Sequence, residues 1–295
     1  MEKIAQGLTH HVESFLLTKK LAGCTDKTLE EYRRWLERFT LESQAPDPLA
    51  VRSFFARLQA QGLRPTSQYK AFSVLKTFFR WCVDVDTLSQ NPLKGLTIRT
   101  PKTLPQVPTE EDVRAVLQRC PDTLVGRRNR TLILVLADSG LRASEVLHLL
   151  LEHWNPQERS LFVRSGKGRK DRVSFLSPTT ARAIKDYLGK RPAMSREDFL
   201  FVDAQNRPLK TRHLLQIFHR LSQRAGLTPQ RRIHPHALRH FAATSWLRNG
   251  VGLDEVRRLL GHESLSTTLR YSSLVSSDLQ AAHRRAGAIE RMRLD

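Results

Sequence analysis

The chain has 295 residues, 40% of them hydrophobic and 26% charged, which excludes a disordered polymer and leaves room for two domains at about 150 residues each. Lys and Arg number 49 against 29 Asp and Glu, a net charge of +20, so a polyanionic partner is expected: nucleic acid first, an anionic membrane surface second. The longest apolar run, Thr131–Ala137, is far short of a membrane span, the N-terminus lacks the apolar stretch of a secretory signal, and the widely spaced Cys24, Cys82 and Cys120 read as reduced thiols of a cytoplasmic protein.

In chain order, the first hundred residues read as helices. His11–Lys20 is apolar-periodic. Thr25 caps a second helix with Leu29, Tyr32, Trp35, Leu36 and Phe39 at three-and-four spacing. Asp47-Pro48 opens a third, Leu49–Gln59, stopped at Gly62. Thr66 or Ser67 starts a fourth, with Phe72, Leu75, Phe78, Phe79 and Cys82 inward. The aromatics are core residues of a small helical bundle, residues 1–97. A segment with repeated prolines follows, and residues 98–108 are read as an interdomain linker whose Arg99 and Lys102 suit a phosphate backbone.

From Thr109, which caps a run of early acids, a second domain (109–295) begins. Helices are predicted at 110–119, 127–138 and 142–151. Leu161 and Val163 then alternate with Phe162, Ser165–Asp171 makes a basic turn, and Arg172–Leu176 returns: a β-hairpin. Helices resume near 178–189, 210–225, 236–248, 252–260 and 266–273, and the tail carries Leu279, Ala282, Ala286 and Ile289 on one face. The fold class is mainly α with a small β-sheet.

Five features of this half suit chemistry on an anion. Gly140 ends one helix and Arg142 begins the next, an arrangement that suits an anion, although Arg142 paired with Glu145 is the plainer reading of that segment alone. Lys167 stands between two glycines at the hairpin tip, either presented to a ligand or simply in a soluble turn. In His234-Pro-His-Ala-Leu-Arg-His240, His236 and Arg239 share a helix face; three histidines raise the question of zinc, but no Cys or acid lies nearby and Arg239 would repel a cation, so no metal is assigned. Gly261-His262 follows a helix, with Gly261 as its stop. Tyr271, one of four tyrosines, ends Thr267-Thr268-Leu269-Arg270-Tyr271, with Ser266 as its cap. Alone, it reads as a packed tyrosine with its hydroxyl bonded. Together, two arginines, a lysine, two histidines and a tyrosine suit metal-free phosphoryl transfer through a phosphotyrosine, with no cofactor.

Ser-Gly-Leu-Arg-x-Ser-Glu, Gly-Lys-Gly-x-Lys, His-x-Leu-Arg-His and Leu-Leu-Gly-His-x-Ser-x-x-Thr-Thr-x-x-Tyr stand here in order. With this set, the chain resembles the tyrosine recombinase (phage integrase) family, Xer-like members above all, over nearly its whole length. The resemblance implies a two-domain clamp on double-stranded DNA: a helical, SAM-like core-binding domain and an α+β catalytic domain. It implies that Tyr271 attacks the scissile phosphate to form a 3′-phosphotyrosyl link, that Arg142 and Arg239 grip the non-bridging oxygens, and that Lys167 is the general acid. It further implies that His236 assists proton transfer, that His262 donates to the phosphate, and that Glu145 supports the site from behind. Four protomers would exchange strands through a Holliday junction, with or without a second recombinase or accessory factor, the tail docking into a neighbour. Arg64, Lys70 and Lys76, with Arg99, Lys102, Arg169 and Lys170, are the candidate DNA contacts. After Arg239-His240 the chain runs Phe-Ala-Ala-Thr-Ser-Trp where relatives often have Thr-Phe-Ala-Thr-His. The branch therefore stays open among chromosome dimer resolution, phage integration and mobile elements. Two alternatives remain: an inert DNA-binding protein of this fold, and a type IB-like topoisomerase.

Overall fold

The computed structural model describes residues 2–43, 46–99, 106–164, 171–192 and 195–275. The chain divides into two compact units, Met1–Thr103 and Leu104–Asp295, which are taken separately below.

The first unit holds α1 (Glu2–Leu21), α2 (Asp26–Glu42), α3 (Pro48–Ala60) and α4 (Pro65–Asp84). Helix starts follow local chemistry. Thr25 accepts from the Thr28 N–H, and Asp47 accepts from those of Leu49 and Ala50 ahead of Pro48. The fourth helix begins at Pro65, a residue or two before the predicted Thr66 or Ser67, because proline fits a first turn whose N–H has no acceptor. Phe15, Phe39, Phe54, Phe78 and Phe79 are wholly buried. Phe15–Phe78 and Phe39–Phe54 meet edge to face with centroids 5.3 Å apart. Each ring contributes about 2–3 kcal/mol by burial, and each pair up to about 1 kcal/mol more. Cys82 belongs to this core, and burial pushes its thiol up to about 12, which leaves it unreactive.

The second unit holds α5 (Glu110–Gln118), α6 (Leu124–Ser139), α7 (Ala143–Leu147), a 3₁₀ turn (Leu151–His153), β1 (Trp154–Asn155), β2 (Ser160–Val163), β3 (Arg172–Phe175), α8 (Pro178–Leu188), α9 (Thr211–Arg224), α10 (Pro235–Arg248), α11 (Leu253–Leu260) and α12 (Leu265–Val275). The strands form an antiparallel sheet in the order β1-β2-β3, with Trp154 opposite Leu161 and Phe162 opposite Val173. The predicted alternation holds: Leu161 and Val163 are buried and Phe162 faces outward. α6 is the spine, packed on α8 and α10, and Leu132, Ile133, Val135 and Leu136 are wholly buried.

In the first unit α1 begins at Glu2, nine residues before the stretch read from His11; in the second unit two helix boundaries differ from the sequence reading by three residues or more. α6 starts at Leu124 rather than 127: Thr123 caps it, and Gly126, which looks like a breaker, lies inside its first turn where a Cβ would stand 1.9 Å from the Pro121 carbonyl oxygen. α7 stops at Leu147 rather than 151. Leu149 and Leu150 leave the helix, Leu150 extended ahead of the 3₁₀ turn, because the Leu200 N–H donates to Leu149 O and the Leu151 N–H to Asp198 O. Tertiary pairing there overrides helix propensity.

Candidate active site

The site grows from two glycine helix stops. Gly140 ends α6 and Gly261 ends α11, both in the left-handed region with φ of 60° and 64°. Each stop leaves carbonyls at the negative end of a helix dipole. Arg239, on α10 and only 3% exposed, donates from Nη1 to Gly140 O at 2.6 Å and from Nη2 to Leu260 O at 2.8 Å. Arg142, the cap residue of α7 and 25% exposed, donates from Nη2 to Gly261 O at 3.1 Å. The ends of two helices thus hold two arginines. Burial, with repulsion from Arg142, lowers the Arg239 guanidinium to about 10, still cationic at neutral pH.

The plain reading of Arg142, a pair with Glu145, is realised, and the same guanidinium also reaches the end of α11. Glu145 accepts from the Arg142 backbone N–H and from its Nη1, each at 2.7 Å. Its two oxygens also accept a fork from Arg172 at 3.0 and 2.8 Å. Burial alone would raise the Glu145 carboxyl, but the hydrogen bonds from Arg172 and Arg142 outweigh it and bring the group from the ordinary 4.5 down to about 2. A depressed folded-state value stabilises the fold above the unfolded value, and that stabilisation is lost as pH falls from about 4.5 towards 2. Glu145→Gln is therefore expected to lower stability by about 3 kcal/mol at pH 7. The gap from wild type should narrow steadily below pH 4.5. Denaturant unfolding of both proteins at pH 7 and pH 3 measures it, and an equal gap at both would contradict the assignment.

Tyr271, on α12, is 1% exposed, and its ring packs with Ala243, Val256 and Leu260. Its Oη lies 2.9 Å from Nδ1 of His240, which is also buried. The exposed His236 sets its ring against that of His240 with centroids 4.2 Å apart. His262, directly after Gly261, has Nδ1 2.9 Å from Oγ1 of the wholly buried Thr268. His234 accepts the Ala237 N–H through Nδ1 and so serves as the cap of α10. The cap predicted at Ser266 lies instead at Ser264, which precedes the first helical residue and accepts the Ser266 N–H. Among the described residues no group of three or more His, Cys, Asp or Glu side chains is placed to hold a metal ion.

The second unit thus brings together Arg142, Glu145, His236, Arg239, His262 and Tyr271. Lys167, Arg169, Lys170, Lys102 and the tail from 276 onward lie outside the described residues. In the first unit Arg64 precedes α4, Lys70 lies 3.6 Å from Glu31, Lys76 stands over the Phe72 ring, and Arg99 is exposed. Two residues of the site were missed from sequence. Arg172 has strand parity with buried Ser174, so it faces inward and needs a carboxylate. His240 lies four residues after His236, on the same helical face.

The phage integrase family model matches residues 106–277, and a model for the phage integrase N-terminal SAM-like domain matches residues 12–87. The chain is 31% identical to tyrosine recombinase XerA of Pyrococcus furiosus over 95% of each protein. It is 32% identical to tyrosine recombinase XerC of Escherichia coli O157:H7 over 88% of this chain and 91% of that one. Among solved structures, the Tn1549 transposon integrase in complex with transposon right end DNA superposes with a TM-score of 0.76 at 17% identity, covering 92% of this chain and 98% of the other; that likeness concerns the fold.

Proposed function

The chain belongs to the phage integrase family of tyrosine recombinases, and from that premise we propose how its residues cut and rejoin DNA at specific sites. Tyr271 Oη attacks the scissile phosphorus, the bond to the 5′ oxygen breaks, and a 3′-phosphotyrosyl link remains. Arg142 and Arg239 take the non-bridging oxygens, whose charge grows in the transition state. Lys167 gives a proton to the departing 5′ oxygen, His262 donates to the phosphate, and His236 takes part in moving the tyrosine proton. Glu145 aims Arg142. The phosphotyrosine keeps the bond energy, so rejoining uses no nucleotide.

The observation that carries this is the pair of arginines, brought from distant segments and anchored on the terminal carbonyls of α6 and α11, with Tyr271 packed against α11 on the next helix. Arg64, Lys70, Lys76, Arg99, Lys102, Arg169 and Lys170 are assigned to the DNA backbone and bases, in keeping with the net charge of +20. The residue 98–108 linker would join a DNA-gripping domain (1–97) to the catalytic one (109–295). Four copies would act on two sites through a Holliday junction. No described helix is long and apolar enough to cross a membrane, and the free thiols Cys24, Cys82 and Cys120 support a cytoplasmic setting.

The test is capture of the intermediate. Nicked duplex fragments of the source genome are incubated with the protein without metal, and products are run on a denaturing gel. A slow, protease-sensitive band whose DNA-linked peptide contains Tyr271 is the expected result. Linkage through another residue, or tight binding with no adduct on any fragment, would overturn the assignment.

A further inference from the structure

The residue in contact with the Tyr271 hydroxyl is His240, which closes the His-x-Leu-Arg-His string but has no role among the six residues assigned above. Three observations bear on it. Nδ1 lies 2.9 Å from Tyr271 Oη. The ring lies 5.3 Å from the Tyr271 ring and 4.2 Å from that of His236, centroid to centroid. Its own backbone carbonyl accepts the Thr244 hydroxyl at 2.8 Å, one helical turn on. Both His240 and Tyr271 are buried, so bulk water is a poor acceptor for the phenol proton at this spot. A phenol loses its proton at a pH near 10 in water, so an attack at neutral pH needs a group to receive that proton as the new bond forms.

We propose that His240 is a further catalytic residue, which orients the Tyr271 hydroxyl and accepts its proton during DNA cleavage; the inference rests on the recombinase reading above. In the forward step the Tyr271 Oη–P bond forms and the P–O5′ bond breaks. The proton of Oη passes to Nδ1 of His240, and the 5′ oxygen takes its proton from Lys167. Religation runs the same transfers backwards, and Nδ1 returns the proton to Oη. To accept, the neutral imidazole carries its proton on Nε2. His236, exposed and edge-on to His240, lies on the solvent side of this pair and provides the route by which the proton leaves or returns.

The experiment uses the full chain and nicked duplexes already recovered as wild-type adducts, so a failure of the parent reading shows first as an absence of wild-type adduct. Single-turnover adduct formation is followed for wild type, His240→Leu and His240→Asn. Asn keeps a polar group near the Nδ1 position but cannot take the proton. Both variants should cleave about 10²–10³-fold more slowly while binding the duplex as wild type does. The decisive arm places 2,3,5-trifluorotyrosine at position 271, whose phenol releases its proton more readily. It should restore at least a tenfold share of the loss in His240→Asn and change wild type by less. Fluorination that rescues nothing would overturn the proton-acceptor role. Variants that cleave as fast as wild type would overturn it too. Faster cleavage by His240→Leu would also overturn it, by showing that the contact restrains Tyr271.

Discussion

Tyr271→Phe is expected to bind recombination-site DNA as tightly as wild type and to form no covalent adduct with it. The substitution removes one oxygen. The ring keeps its packing against Ala243, Val256 and Leu260, so the apolar burial that seats α12 on α10 and α11 is retained. What is lost is the hydrogen bond to His240, whose buried Nδ1 then lacks that partner. The resulting destabilisation is about 1–3 kcal/mol, small enough to leave the unit folded. Cleavage falls below detection, since removing the nucleophile of a covalent mechanism costs on the order of 10⁶-fold. Adduct formation on nicked duplexes is read on denaturing gels, beside equilibrium binding at two salt concentrations that reports the phosphate contacts. A Phe variant that still yields a protease-sensitive adduct would transfer the nucleophile to another residue. One that loses binding as well would show that the hydroxyl supports the structure more than the chemistry.

Much of this site could be read from residues alone, for a physical reason that also marks the limit. Gly140 and Gly261 were legible as helix stops because a left-handed residue after a helix favours glycine, and the groups that follow them, Arg142 and His262, took their places with them. His236 and Arg239 share a face by their spacing. The alternation around Phe162 gave the hairpin. The rest depends on contacts between parts of the chain far apart in sequence. Nothing local says that Arg239 spans Gly140 O and Leu260 O, or that Arg172 forks onto Glu145 from the return strand. β1, two residues long, has no period to detect, and the leucines after α7 read as helix until their pairing with 198–200 is seen. Tyr271 shows how the two kinds of reading combine. Taken alone it is a packed tyrosine with a bonded hydroxyl, which describes its surroundings correctly; only the ordered set around it leads to the proposal that it is the nucleophile.

Arg239→Lys provides the second large effect, and it separates structure from chemistry. The guanidinium is planar and bridges two carbonyls from different helices, whereas an ammonium on a flexible stem cannot hold both in that geometry. One of the two buried carbonyls, Gly140 O or Leu260 O, is then left without its donor, at a cost of about 1–3 kcal/mol. At roughly 2–4 °C per kcal/mol for a unit of this size, melting should fall by a few degrees and at most about ten. In the proposed mechanism the same change removes one arm of the phosphate clamp, and a single preorganised donor to a developing oxyanion is worth about 10²–10³-fold in rate. Because that charge grows only in the transition state, the loss should fall on the cleavage rate with DNA affinity little changed. Arg142→Lys is the control. Its side chain is partly exposed, and Glu145 retains the fork from Arg172. It should lose a comparable factor in cleavage with a smaller drop in melting temperature. If Arg239→Lys instead melted early yet cleaved at the wild-type rate, Arg239 would be a strut between α6 and α11, and the phosphate would have to be held by Arg142 with another partner.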